Sequence, residues 1–534
     1  MILLTDKNKK MKRYVVKLWV VIFIFGSTSF ACSKKISIPS NGEIQATSHS
    51  PNVPVLKGLA ANPVVRIVVS IPESNAEKYY RKLQCTVNTA AINDIEKVDV
   101  YLTGAEPFSA TNLIGSVSPL TTAFDIPVTT HQQNGIAFMW LSILLKPTAG
   151  LNSNIELHCL KLIDDTGKEL LVKQDNSVYL KRIGVVIRKA GDDGVNTYRI
   201  PGIVTTEKGT LLSVYDIRYN SAKDLPENID IGLSRSTDGG TSWQPMKVIM
   251  DMGTPHENNG IGDPAILFDP VTKKIWVAAL WSKGNRSIAG SMPGLSPDTT
   301  GQFVLVSSAD DGLTWSAPYT ITPQVKNAAW RLFFNGPGSG IAMQDGKLVF
   351  AAQYWDENKM PHSTIIYSDD HGSTWKGKLA GPKSNTTESQ VIETTSGTLM
   401  LNMRDNRGAF RSVAITNDMG KSWTEHITSY SALPDPVCMG SIIKARVNVK
   451  GQMKDVLFFS NANSPSGRYN ITIKASLDLG ETWMPANKLL IDERPCYGYS
   501  SLTKVDDQTI GILYEGIKDL YFMKIPVNDI IATQ

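Results

Sequence analysis

Beyond residue 180, six short segments set charged or phenolic side chains at the ends of apolar, strand-like runs. They are Tyr198-Arg199-Ile200-Pro201-Gly202, Tyr215-Asp216-Ile217-Arg218-Tyr219 with Asp224 just after it, Thr387-Glu388-Ser389-Gln390, Met403-Arg404-Asp405-Asn406-Arg407, Gly467-Arg468-Tyr469 and Gly498-Tyr499-Ser500. Guanidinium groups stay charged and bind a planar anion through two parallel hydrogen bonds. A carboxyl exchanges protons near neutral pH when its surroundings raise its pKa, and a phenol becomes a nucleophile when a base takes its proton. Any one of these arginines, taken alone, reads as a surface ion pair. Residues so far apart act together only if the fold returns them to one place.

A repeat supplies that fold. The pattern Ser/Thr-x-Asp-x-Gly-x-Thr/Ser-Trp occurs at Ser236 to Trp243, Ser308 to Trp315, Ser368 to Trp375, Thr416 to Trp423 and Ser476 to Trp483, with aspartates at 238, 310, 370, 418 and 478. Asp, Ser and Thr side chains hold backbone N–H groups in a tight reversal, the Gly takes a left-handed angle, and the Trp anchors the turn. Repetition at this period predicts a β-propeller with each box in a β-hairpin turn of a four-stranded blade. Dividing residues 183–530 into six gives about 58 residues per blade, which matches the box spacing, with one blade lacking a box. The boxes themselves are structural.

The 534-residue chain has room for two or three domains. Residues 1–31 read as an export signal: a basic start at Lys12, Arg13 and Lys17, an apolar core from Leu18 to Phe25, and Ser29-Phe30-Ala31 before Cys32. Cleavage there exposes Cys32 as in a bacterial lipoprotein, although Ser29 stands where such signals carry an aliphatic residue. Export is therefore expected, with a lipid anchor at Cys32 or plain secretion. Removing this segment takes the net charge from +4 to about −1, which leaves no basic surplus for nucleic acid. Residues 32–62 read as a Ser/Pro/Asn-rich tether. Residues 63–180 read as a β-sandwich, with strands at Val64–Ile71, Lys97–Leu102, Ala137–Leu145, Ile155–Leu162 and Glu169–Lys173. Carbohydrate binding and plain spacing both remain open for it. The propeller follows over residues 183–534. No Cys-x-x-Cys occurs and the seven histidines form no ligand-like cluster, so no metal site is expected. A Cys85–Cys159 bridge and two separate buried thiols are both open.

The Tyr-Arg-Ile-Pro segment followed by several Asp boxes, with Arg, Arg, Asp, Glu, Arg, Arg and Tyr in that order, resembles the bacterial exo-sialidases, or neuraminidases. The resemblance covers residues 183–530 and, more weakly, the sandwich. It implies that Arg199, Arg404 and Arg468 clamp the carboxylate on the anomeric carbon of a sialic acid, with Arg407 the lesser choice. It also implies Tyr499 as nucleophile and Glu388 as its base, the tyrosine-using exception among glycosidases. A neutral phenol suits this substrate, because a carboxylate nucleophile would be repelled by the substrate's own charge. Tyr497 is the neighbouring decoy. Asp224, in the loop from Ser221 to Asn228, is the expected general acid and then base, a role that calls for an apolar setting and a raised pKa; Asp230 competes. The family pattern further gives Arg218 and Asp263 to the hydroxyl on ring carbon 4, with turn capping as the other reading of Asp263. It gives Glu515 to orienting Arg199. Gly336-Pro337-Gly338-Ser339-Gly340 lacks the lysine of a phosphate loop and reads as a rim loop. The expected activity is retaining hydrolysis of terminal α-linked sialic acid from sialylated glycans, with no metal or organic cofactor. A non-catalytic sialoglycan-binding propeller and a trans-sialidase are the alternatives.

Overall fold

The computed structural model describes residues 42–532, apart from 74, 76–77, 104–107, 119, 133 and 285. The export signal and Cys32 lie outside the described residues. The fold is all-β, and the α-helices among the described residues are single turns at Thr322–Val325 and Val527–Ile530. None is long and apolar enough to cross a membrane.

Among the described residues, five sheets of four or five strands are set apart from one another along the chain. The first is an antiparallel meander of Thr197–Thr205, Leu211–Arg218, Ile229–Ser236 and Lys247–Met250. The others are built around Ile261–Phe268, Leu348–Trp355, Leu399–Asp405 and Gln452–Ala462 in the same propeller-like manner. Each holds one Asp box at a reversal. In the first box the Ser236 hydroxyl donates to Asp238 (2.8 Å) and accepts the Gly240 N–H (2.9 Å), while Asp238 accepts the Ser242 N–H (3.0 Å). The box around Asp310 repeats this bonding. The chain's last strands, Ser500–Asp506, Thr509–Glu515 and Leu520–Pro526, have no box. They are completed by Leu180–Arg188 from before the propeller, with Val185 opposite Phe522. That strand also pairs with Asn154–Asp164, so this sheet runs on into the front unit.

The front unit differs from a two-layer sandwich in one respect: its strand path returns on itself, as in a barrel. Glu169–Gln174 pairs with Gln45–His49 on one side and with Asn154–Asp164 on the other. Two expectations are corrected here. Residues 45–49 and 55–57, expected in the tether, are strands, because Ala46, Val55 and Leu56 are buried and the Asn62 side chain caps Leu56 through N–H and C=O. The strands Lys78–Val87, Leu113–Val117 and Ala123–Gln132 were not foreseen. Ala123–Gln132 alternates buried and exposed residues along its length, but Pro127, Thr and His mask the pattern in the sequence. Cys85 and Cys159 lie directly opposite in adjacent strands as free buried thiols.

Candidate active site

The first strands of three propeller sheets each break register where a predicted site residue stands. The breaks fall between Arg199 and Gly202, between Gly262 and Ala265, and between Thr386 and Ser389. Bulges of this kind re-aim a side chain out of the alternating pattern of a strand. Ile200 and Asp263 accordingly adopt φ of 55° and 59°. The outcome is a cavity of about 250 Å³ lined by Arg199, Asp224, Asp263, Glu388, Arg404, Arg468 and Tyr499. A larger hollow of about 400 Å³ elsewhere is lined in part by Ile203, Ile392, Ile442 and Leu502, and its charged residues are Glu393, Lys444 and Lys504.

The three arginines are held in different ways. Arg199 donates through Nε to Glu515 (3.1 Å), and its guanidinium lies over the Tyr497 ring at 4.7 Å and the Tyr499 ring at 5.3 Å. Arg404 donates through Nη1 to Glu388 (2.6 Å) and to the Tyr499 hydroxyl (3.2 Å). Arg468 donates to two backbone carbonyls, Tyr497 (2.9 Å) and Val437 (3.2 Å). Glu515 is fully buried, and its second oxygen accepts the Tyr499 N–H (3.0 Å) while the first also takes the Ile200 N–H (2.9 Å). One carboxylate thus ties two site strands together.

The Tyr499 hydroxyl donates to Glu388 Oε1. Burial and the Glu388 charge push the phenol well above its ordinary pKa, so it rests neutral. Burial raises the Glu388 carboxyl, but Arg404 and the phenol outweigh this and hold it below the usual carboxylate range. The pair is therefore a charged base against a neutral phenol.

Asp224 departs from expectation. Its side chain is 68% exposed and pairs with Arg218 (2.7 Å) and Arg199 (3.7 Å). Partial burial raises its pKa, but Arg218 and then Arg199 outweigh that and hold it low. The apolar setting expected for it is absent because the loop lies open beside two cations. Arg218 is buried and is not among the cavity-lining residues; it donates to Asp216 (2.8 Å) and to the Ala222 carbonyl (2.7 Å). Asp263 does face the cavity; burial and the neighbouring Asp216 push its carboxyl well up. The decoys are not among the cavity-lining residues. Arg407 bonds Asp405 (3.0 Å), Tyr497 packs on Arg199, and buried Asp230 accepts from the Tyr219 hydroxyl (3.1 Å). Asp230, Asp251 and His256 bring ligand-capable atoms within 4.8 Å of one another, a grouping their spacing in the sequence conceals.

Sequence reasoning missed Ile288, Phe334, Gln353 and Trp355, which line the same cavity. Gln353 is 97% buried and its amide nitrogen has no partner. Nothing in its strand context, Ala-Ala-Gln-Tyr-Trp, marks it beyond a polar residue in an apolar run.

Comparison with known proteins places the chain. Residues 200–494 match the family model for the BNR repeat-like domain, and residues 43–165 match that for the N-terminal domain of BNR-repeat neuraminidase. A sialidase of Bacteroides fragilis is 49% identical over 74% of this chain and 74% of its own length. A sialidase of Micromonospora viridifaciens is 35% identical over 61% of this chain and 50% of its own. Among solved structures, the Hadza microbial sialidase Hz136 superposes with a TM-score of 0.85 at 40% identity, covering 91% of this chain and all of the other.

Proposed function

This chain belongs to the BNR-repeat neuraminidases, the sialidase family, and from that premise we propose that it is an exo-α-sialidase releasing terminal sialic acid from glycans with retention of configuration. The observation that carries this reading is the Tyr499–Glu388 contact set among three arginines. A protein that merely bound a sialoglycan would have no need of a phenol poised on a base.

Arg199, Arg404 and Arg468 clamp the carboxylate of the sugar and fix its anomeric carbon over Tyr499. As Glu388 takes the phenolic proton, Tyr499 attacks that carbon and the glycosidic bond breaks. The departing oxygen takes a proton from Asp224, leaving a sialyl-tyrosine. Asp224, now a carboxylate, draws a proton from water as the water displaces Tyr499 with a second inversion, and Glu388 returns its proton to the departing phenolate. An anionic sugar beside Arg199 offsets that arginine's share of the charge holding Asp224 down, Arg218 keeping the rest, and expulsion of water adds desolvation, so the carboxyl rises on binding. Arg218 serves by holding Asp224, and Asp263 is left to meet a ring hydroxyl. The apolar wall of Ile288, Phe334 and Trp355 with the free amide of Gln353 suits an acylamino substituent.

The scaffold reading is a six-bladed ring, with the Leu180–Arg188 strand closing the last blade against the chain's own C-terminal strands. Export and attachment through Cys32 are proposed with it; labelling with a fatty-acid probe and its loss in Cys32→Ala tests the anchor. Incubation with a fluorogenic sialoside, with and without lactose, tests the activity. Release of free sialic acid supports the hydrolase, transfer to lactose would favour a trans-sialidase, and silence would favour a binder.

A further inference from the structure

Of the three clamp arginines, Arg199 and Arg404 each bond to a glutamate, whereas Arg468 is fixed by the carbonyls of Tyr497 and Val437. The Val437 carbonyl is presented in an unusual way. Val437 has φ of 59°, a left-handed angle that a β-branched residue adopts only when its surroundings impose it. The next residue shows what imposes it. The Cys438 N–H donates to Asp435 Oδ1 (2.9 Å), and the Cys438 carbonyl accepts from Arg411 Nη1 (2.6 Å). Arg411 is fully buried and lines no part of the cavity. Its Nε donates to the Asn402 side chain (2.7 Å) and its Nη2 to the Asn402 carbonyl (3.2 Å), two residues before Arg404. Its charge faces Asp435 at 3.7 Å, and Asp435 is in turn held by Asn461 (3.2 Å).

Resting on the sialidase reading above, we infer that Arg411 is a positioning residue for the carboxylate clamp: with Asp435 it locks the strained Asp435–Cys438 turn, so that the Val437 carbonyl holds Arg468 in its anion-binding pose. The same guanidinium bonds Asn402, which anchors the turn to the neighbouring strand Leu399–Asp405. A buried arginine with no such role would be replaceable at no cost to ligand affinity once the fold survives.

The test is a double-mutant cycle read by calorimetric titration with free sialic acid, with kcat and KM measured alongside. Arg468→Lys weakens binding, and Arg411→Gln in the otherwise native protein weakens it by about tenfold, with KM moving more than kcat. In the Arg468→Lys background, Arg411→Gln then changes the Kd by less than about twofold, because its effect passes through the fork already lost. Asp435→Asn keeps the volume and the acceptor for Cys438 while removing the charge facing Arg411; it gives the same non-additive signature and decides the matter if Arg411→Gln does not fold. Equal losses in both backgrounds, or native affinity in the single variants, overturn the inference while leaving the sialidase reading intact. A native protein that binds no sialic acid overturns both.

Discussion

The hydroxyl of Tyr499 donates to the carboxylate of Glu388, although 111 positions separate them in the chain. Removing either partner has a distinct consequence. Tyr499→Phe keeps the ring packed against Ile200, Cys438 and Met439, so thermal stability stays near native while turnover falls by about 10³ or more. Glu388→Gln keeps the shape and removes the base, with a loss of about 10²–10⁴ in kcat. Steady-state kinetics with a thermal melt on each variant checks both; native turnover in either would remove that residue from its role.

Asp224→Asn separates proton donation from attack. Natural glycans leave as poor alkoxides and need the proton, so their hydrolysis falls by about 10²–10⁴. An aryl sialoside with an acidic phenol leaves unaided, so its tyrosine-attack step is much less affected. Equal losses on both substrates would show that Asp224 does not act as the acid.

The Asp boxes carry an acid-stability signature. Hydrogen bonds from the Thr314 hydroxyl and then its N–H lower Asp310 from 3.8 to about 2. A carboxyl with a depressed folded pKa stabilises the fold fully above its unfolded value and loses that contribution as pH falls through the folded one. Asp310→Asn therefore lowers the melting temperature slightly near neutral pH, and the gap to the native protein narrows between about pH 4 and pH 2. A gap constant across that range would contradict the assignment.

Gln353→Leu trades affinity for stability. The unpartnered buried amide costs folding energy, so the leucine variant melts higher. It also loses one hydrogen bond to substrate, so KM rises about two- to tenfold. A variant that melts higher with an unchanged KM would exclude Gln353 from substrate contact.

The sequence was most legible where chemistry is written into local spacing. Asp238, Asp310, Asp370, Asp418 and Asp478 revealed the repeated turn because the side-chain bonds of each aspartate close within its own box. Tyr198-Arg199-Ile200-Pro201 and Gly498-Tyr499-Ser500 marked site residues in the same way. What stayed hidden depends on long-range juxtaposition. Arg411 and Asp435 are ordinary in sequence and meet only once the short strands Ala409–Phe410 and Pro434–Asp435 pair. The electrostatics of Asp224 depend on Arg218 and Arg199 converging on an open loop, so an apolar setting was expected where two cations stand. The strands at 45–49 and 55–57 hid among Ser, Pro and Asn because their partners come from elsewhere in the front unit and from the strand at 180–188.

Covalent capture tests the central claim most directly. Incubating the protein with a 2,3-difluorinated sialic acid, followed by intact mass and peptide mapping, should show one sialyl adduct on Tyr499, absent in Tyr499→Phe. Turnover of a sialoside without an adduct at that residue, or an adduct on Glu388 or Asp224, would contradict a tyrosine nucleophile served by Glu388.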